Sequence, residues 1–131
     1  ITVSQSYTVE GLLRDVLEKT CKEIKENRPE GIFKMDLNSL IVEVKNYLQK
    51  NRYVVVFDDV WSVELWGQIE NAMLDNNNGS RILITTRSKD VVDSCKNSPF
   101  DEIHELKPLT FENPWNSFAR RHSDVTTIGE I

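Results

Sequence analysis

The sequence has few cysteines, no long apolar run and no local excess of basic residues. Cys21 and Cys95 lie far apart and belong to no C-x-x-C pair or Cys/His cluster, which argues against a disulfide framework or zinc site and predicts buried thiols in a cytosolic protein. No apolar stretch approaches the roughly 18 residues that a membrane helix needs. Because the formal net charge is −5, direct binding to nucleic acid is not expected.

The chain does contain an alternation of helical and strand patterns. Apolar residues recur at helical spacing in some segments and form short β-branched runs in others. In chain order, these patterns predict a strand at 1–4, helices at 9–24 and 37–48, a strand at 53–57, a helix at 65–74, a strand at 82–85, a helix at 91–95, a strand at 103–106 and a last helix around Trp115 and Phe118. This order predicts an α/β fold, with a mainly parallel sheet and helices on both faces.

The strand at 53–57 is continuously apolar, so it is expected to lie inside the sheet with neither face in water. In open parallel sheets, ligands bind beyond the carboxyl ends of the strands, where loops and helix N-termini converge. The polar residues that follow the predicted strands are therefore the candidates for a binding site. In chain order, they are Asp58, Asp59, Thr86, Arg87 and Lys107.

These residue types suit the binding of Mg²⁺ and phosphate. Mg²⁺ is held by one or two carboxylates together with waters and substrate phosphates, which makes Asp58 the candidate metal acid. Asp59 is the candidate for orienting a water as general base, Arg87 offers a planar fork for phosphate oxygens, and Thr86 offers a hydroxyl. Structural interpretations also exist, because an acidic pair after a strand often forms a turn and a lone Arg87 often forms an ion pair.

Four motifs resemble, in family order, the NB-ARC domain of plant nucleotide-binding leucine-rich-repeat (NLR) disease-resistance proteins. They are ITVSQSY at 1–7, YVVVFDDVW at 53–61, GSRILITTR at 79–87, and HELKPL at 104–109 leading to WNSF at 115–118. The second motif resembles the Walker B or "kinase 2" motif and the third resembles the sensor motif that follows it. The resemblance implies a P-loop NTPase-type fold that lacks its first strand and phosphate loop.

The resemblance also implies a function: an ADP/ATP switch with Mg²⁺ in a cytoplasmic plant immune receptor that detects pathogen effectors. By carry-over, Asp58 is the magnesium-associated acid, Asp59 the catalytic or water-positioning acid, and Thr86 with Arg87 the sensor of the terminal phosphate. Trp61 resembles the subclass with a coiled-coil N-terminal domain. The implied partners are nucleotide and the receptor's coiled-coil, ARC and leucine-rich-repeat domains, with oligomerisation on activation.

The chain departs from the family pattern in several places. No G-x-x-x-x-G-K-[ST] loop occurs among its five glycines, and the downstream Gly-Leu-Pro-Leu motif is also absent. We therefore predict a partial nucleotide-binding (NB) subdomain at 1–109 and the start of the helical ARC subdomain at 110–131. The expected parent is a weak ATPase switch, and the fragment alone is expected to be inactive.

Two alternatives come from other classes of protein. In a phospho-receiver domain, Asp58 would accept the phosphoryl group, Thr86 would be the switch hydroxyl and Lys107 the loop lysine. That fold also needs an acidic pair after its first strand, which Ser4-Gln5-Ser6 does not supply. In a non-catalytic interaction fragment, a missing central strand would leave a gap in the sheet and exposed strand edges.

Overall fold

The computed structural model describes residues 1–3, 6–73, 79–99 and 101–106, together with the backbone of 125–130. In chain order, the elements in these residues are α1 (Val9–Ile24), a 3₁₀ turn (Ile32–Lys34), α2 (Leu37–Gln49), β1 (Val54–Phe57), α3 (Val63–Glu70), β2 (Arg81–Thr86), α4 (Lys89–Cys95), β3 (Glu102–Glu105) and β4 (Val125–Glu130). The predicted last helix around Trp115 and Phe118 lies outside the described residues, and so does Lys107.

Each described α-helix begins at a side chain that accepts a backbone N–H of the first turn, which satisfies a group that would otherwise lack a partner. The predicted caps Thr8, Asp36 and Ser88 are confirmed, because their oxygens accept from Gly11, Ser39 and Val91 respectively. Ser62 caps α3 in the same way. The local sequence therefore sets where these helices start.

The apolar stripes of the helices meet the sheet in one continuous core. Phe57 at the end of β1 is fully buried, and its ring packs edge-to-face on Trp66 of α3, with ring centroids 5.8 Å apart. Cys21 and Cys95 are buried free thiols, which confirms their predicted structural role. Burial raises the pKa of both thiols, that of Cys95 to about 12, so neither is poised as a nucleophile.

The strands form one mixed sheet in the order β1-β2-β4-β3. β1 and β2 pair in parallel from Val54 opposite Arg81 to Phe57 opposite Ile84, and Thr2 bridges to Asp58 in parallel on the other side of β1. β4 runs antiparallel to both β2 and β3. Neighbouring strands in this order hydrogen-bond directly to each other, so the expected gap is not found within the described sheet.

The domain boundary predicted at residue 110 stays a prediction. Of the predicted second part, the structure describes only the backbone of 125–130, and this segment forms β4 within the same sheet as β1 and β2. The division at 110 did not anticipate that pairing, because the tail carries no clear strand pattern. The α/β class is nevertheless confirmed by the helices packed on a parallel strand pair.

The expectation that neither face of residues 53–57 meets water was wrong. Val54 is 71% exposed and Val56 is 38% exposed, whereas Phe57 is fully buried. Successive side chains of a strand point to opposite faces, so Val54 and Val56 share the face opposite the core. The described part of the chain leaves that face open to solvent.

Among the described residues, no helix has the length and apolar character needed to cross a bilayer.

Candidate functional site

The acidic pair lies where the sequence places it, at the carboxyl end of β1. Asp58 is held through its backbone by the start of the chain: its N–H donates to the carbonyl of Ile1 at 2.8 Å, and its carbonyl accepts from the N–H of Val3 at 2.7 Å. Its side chain is exposed. The backbone is therefore fixed by sheet-like pairing while the carboxylate projects into solvent at the rim of the sheet.

Thr85 of β2 contacts both acids. Its hydroxyl donates to Oδ1 of Asp58 at 2.7 Å and accepts the backbone N–H of Asp59 at 2.9 Å. Its carbonyl accepts the N–H of Val60 at 2.9 Å. Because β1 and β2 are neighbours in parallel register, their carboxyl ends come together, and Thr85 joins the acidic turn to the adjacent strand.

Asp59 has a left-handed backbone, with a φ of 59°, which is uncommon for a residue other than glycine. Its carboxylate forms a two-pronged ion pair with Arg87, whose Nε lies 3.0 Å from Oδ1 and whose Nη2 lies 2.9 Å from Oδ2. Both side chains are 45% exposed, so solvent screens the pair and its contribution to stability is small. The pair instead fixes the direction in which the guanidinium lies.

The structure does not bring the Thr86 hydroxyl to the rim. Thr86 is buried, and its hydroxyl donates to the carbonyl of Val60 and accepts the N–H of Ser88 at 3.0 Å. Side chains alternate along a strand, and Thr86 shares the buried face with Ile82 and Ile84. The same alternation could have identified Thr85 as the hydroxyl that meets the acids, which the sequence interpretation missed.

The site therefore combines two carboxylates, a hydroxyl and a guanidinium around one turn. In the described residues, no cluster of three or more His, Cys, Asp or Glu side chains forms a closed metal cage. The donor set fits Mg²⁺, which takes hard oxygen ligands and completes its coordination with waters and phosphate oxygens rather than with a full protein cage. Asp58 is exposed and accepts a hydrogen bond from the hydroxyl of Thr85, and Arg87 carries a guanidinium, a group that pairs well with phosphate oxygens.

The acidic pair directly follows β1 and Arg87 directly follows the neighbouring parallel strand β2, which is compatible with an α/β domain of the P-loop NTPase type. The family profile of the NB-ARC domain matches residues 1–125, and the chain belongs to this family. The NB-ARC family is a nucleotide-binding family, so ATP or ADP is its general ligand.

The relatives of the chain are plant proteins. Disease resistance protein RPM1 of Arabidopsis thaliana is 32% identical over 121 residues, which are 92% of this chain and 13% of RPM1. Disease resistance protein RPP13 of the same species is 34% identical over 119 residues, 91% of this chain and 14% of RPP13. The putative disease resistance RPP13-like protein 3 of Arabidopsis thaliana is 31% identical over 130 residues, which are 98% of this chain and 15% of that protein. The chain thus spans less than one sixth of these relatives' lengths.

Proposed function

We propose that the chain is part of the ATP/ADP switch of a cytoplasmic plant immune receptor of the NLR type, which responds to pathogen effectors. One observation carries this proposal: Asp58 and Asp59 follow β1, Arg87 follows the adjacent parallel strand β2, and Arg87 forms an ion pair with Asp59. The names of the relatives, which are disease resistance proteins, support the biological context. We call the longer protein to which we propose this chain belongs the full-length receptor.

In this proposal, Asp58 is the carboxylate on the magnesium side of the nucleotide. Bound Mg²⁺ supplies neutralisation of phosphate charge. Asp58 would hold the ion directly or through a bound water, and its Oδ1 accepts a hydrogen bond from the hydroxyl of Thr85. The family resemblance implied that Thr86 senses the terminal phosphate together with Arg87, but the hydroxyl of Thr86 is buried and bonded to Val60 and Ser88, so we assign the sensing of that phosphate to Arg87 alone.

Asp59 and Arg87 act together at the terminal phosphate. Both carboxylate oxygens of Asp59 accept hydrogen bonds from Arg87, so Asp59 fixes the guanidinium and orients water only through its remaining lone pairs. Arg87 then reads whether a terminal phosphate is present. ATP differs from ADP by that phosphate, and only a differential contact of this kind shifts an equilibrium between two receptor states.

The metal role of Asp58 predicts that Asp58→Asn weakens Mg²⁺-dependent ATP binding by the full-length receptor about tenfold or more, because a neutral amide is a poorer ligand than a carboxylate. The measurement is an ATP titration by calorimetry at several Mg²⁺ concentrations, repeated with EDTA. Asp93→Asn is the matched control, since Asp93 is an exposed aspartate on α4. Equal Mg²⁺ dependence in the wild type and Asp58→Asn would contradict the assignment.

The phospho-receiver alternative receives no support from the family assignment, since residues 1–125 match a nucleotide-binding family. A direct test is incubation with beryllofluoride, which mimics a phosphorylated aspartate. We expect no spectral change centred on Asp58.

The proposal for the whole receptor also includes docking of the chain to the coiled-coil, ARC and leucine-rich-repeat domains, and oligomerisation on activation.

A further inference from the structure

Thr85 is a residue whose contacts go beyond the roles assigned to the site. Its side chain touches the carboxylate of Asp58 and the backbone of Asp59, and its own backbone touches Val60. We propose that Thr85 is a positioning residue that orients the Asp58 carboxylate, which would hold magnesium, and sets the turn that presents Asp59 to Arg87. Because Thr85 acts through these acids, its role rests on the proposed function.

The hydroxyl of Thr85 is well matched to this task. A hydroxyl has one proton to donate and lone pairs with which to accept. The proton is directed to Oδ1 of Asp58, and a lone pair receives the N–H of Asp59. Donation to Oδ1 orients the carboxylate of this exposed side chain. Loss of a partner of this kind, which holds a metal ligand in place, typically lowers metal affinity or activity about 10- to 100-fold.

The backbone of Asp59 needs support that Thr85 provides. A left-handed conformation is unfavourable for aspartate relative to extended or helical backbone, and it persists only where neighbouring contacts hold it. Thr85 accepts two successive backbone N–H groups of the turn, because its hydroxyl accepts that of Asp59 and its carbonyl accepts that of Val60. This turn directs the Asp59 carboxylate to the guanidinium of Arg87.

The chain offers a matched control at the opposite end of the same strand pair. Ser80, just before β2, is buried, and its hydroxyl accepts the N–H of Tyr53, just before β1, at 3.2 Å. This hydroxyl also joins the two strands through a backbone N–H, but it lies at their amino ends, away from the acids. Ser80→Ala therefore reports what loss of a strand-joining hydroxyl does to stability alone.

The test compares Thr85→Val, Thr85→Ser and Ser80→Ala in the full-length receptor. For each, the affinity for ATP is measured across Mg²⁺ concentrations, together with the midpoint of thermal unfolding. We expect Thr85→Val to reduce the apparent Mg²⁺ affinity about 10- to 100-fold, in line with the loss of a partner that orients a metal ligand. Thr85→Ser keeps the hydroxyl and should stay within about threefold of the wild type. Ser80→Ala should lower the unfolding temperature and leave the Mg²⁺ dependence unchanged.

Two results would overturn the role of Thr85. One is a folded Thr85→Val variant with the Mg²⁺ dependence of the wild type. The other is a folded Thr85→Ser variant that loses Mg²⁺ affinity tenfold or more, and this result decides the question even where Thr85→Val does not fold. If the wild-type receptor itself shows no Mg²⁺-dependent ATP binding, the proposed function fails instead, so the two failures are distinguishable.

Discussion

Replacing Arg87 by alanine in the full-length receptor should remove most of its preference for ATP over ADP, a loss on the order of 100-fold in the ratio of the two affinities. The guanidinium of Arg87 lies at the rim, where Asp59 holds it by two hydrogen bonds. A hydrogen bond between charged groups contributes more free energy than one between neutral groups. The proposed hydrogen bond from Arg87 to the terminal phosphate forms with ATP and not with ADP. ADP binding should therefore change little.

The matched control for Arg87→Ala is Arg52→Ala. Arg52 donates to the carbonyl of Gly79 at the amino ends of β1 and β2, far from the acidic turn. Arg87→Lys is a second, informative variant, because lysine keeps the charge but not the planar fork. We expect it to recover only part of the preference. Full recovery by lysine would mean that charge alone reads the phosphate, without the two hydrogen bonds that Arg87 donates to Asp59.

Replacing Phe57 by alanine should lower the free energy of unfolding of the chain by about 3–5 kcal/mol, the usual cost of truncating a buried aromatic ring. Phe57 is fully buried at the end of β1 and packs edge-to-face on Trp66. The alanine leaves a cavity directly beneath the acidic turn. Urea unfolding followed by circular dichroism measures the change, and Phe57→Leu gives a milder step if the alanine variant is too unstable to measure.

Val54→Ala is the control for Phe57→Ala on the same strand. Val54 is 71% exposed on the opposite face of β1. Its truncation should cost no more than about 0.5 kcal/mol, as expected for a surface position. A loss comparable with that of Phe57→Ala would show that the face of Val54 is covered in the folded chain, contrary to the one-sided packing described above.

Local patterns predicted most of the elements because the information they need is local. Helical spacing and a capping side chain identified the helices that begin after Thr8, Asp36 and Ser88, and the β-branched runs identified β1 and β2. The location of Asp58 and Arg87 at neighbouring strand ends followed from parallel pairing alone. These predictions depend on backbone preferences and burial within short stretches of chain.

Other features depend on which segments meet in space. A continuous apolar run indicates that a strand suits a buried setting, but it does not say what covers each face, so the exposure of Val54 and Val56 was not predicted. The same holds for the antiparallel pairing of 125–130 with β2. The contact of Thr85, rather than Thr86, with the acids had a local signal, however, because the alternation of buried residues along β2 assigns the two hydroxyls to opposite faces.

The most direct test of the switch is the ratio of ATP to ADP affinity of the full-length receptor, measured in Mg²⁺ for the wild type and for the double variant Asp58→Ala with Arg87→Ala. The double variant removes the proposed metal acid and the proposed phosphate sensor together, while their neighbours Asp59 and Thr85 remain. We predict that the wild type distinguishes the two nucleotides and that the double variant does not. Unchanged discrimination in a folded double variant would contradict the assignment of this site.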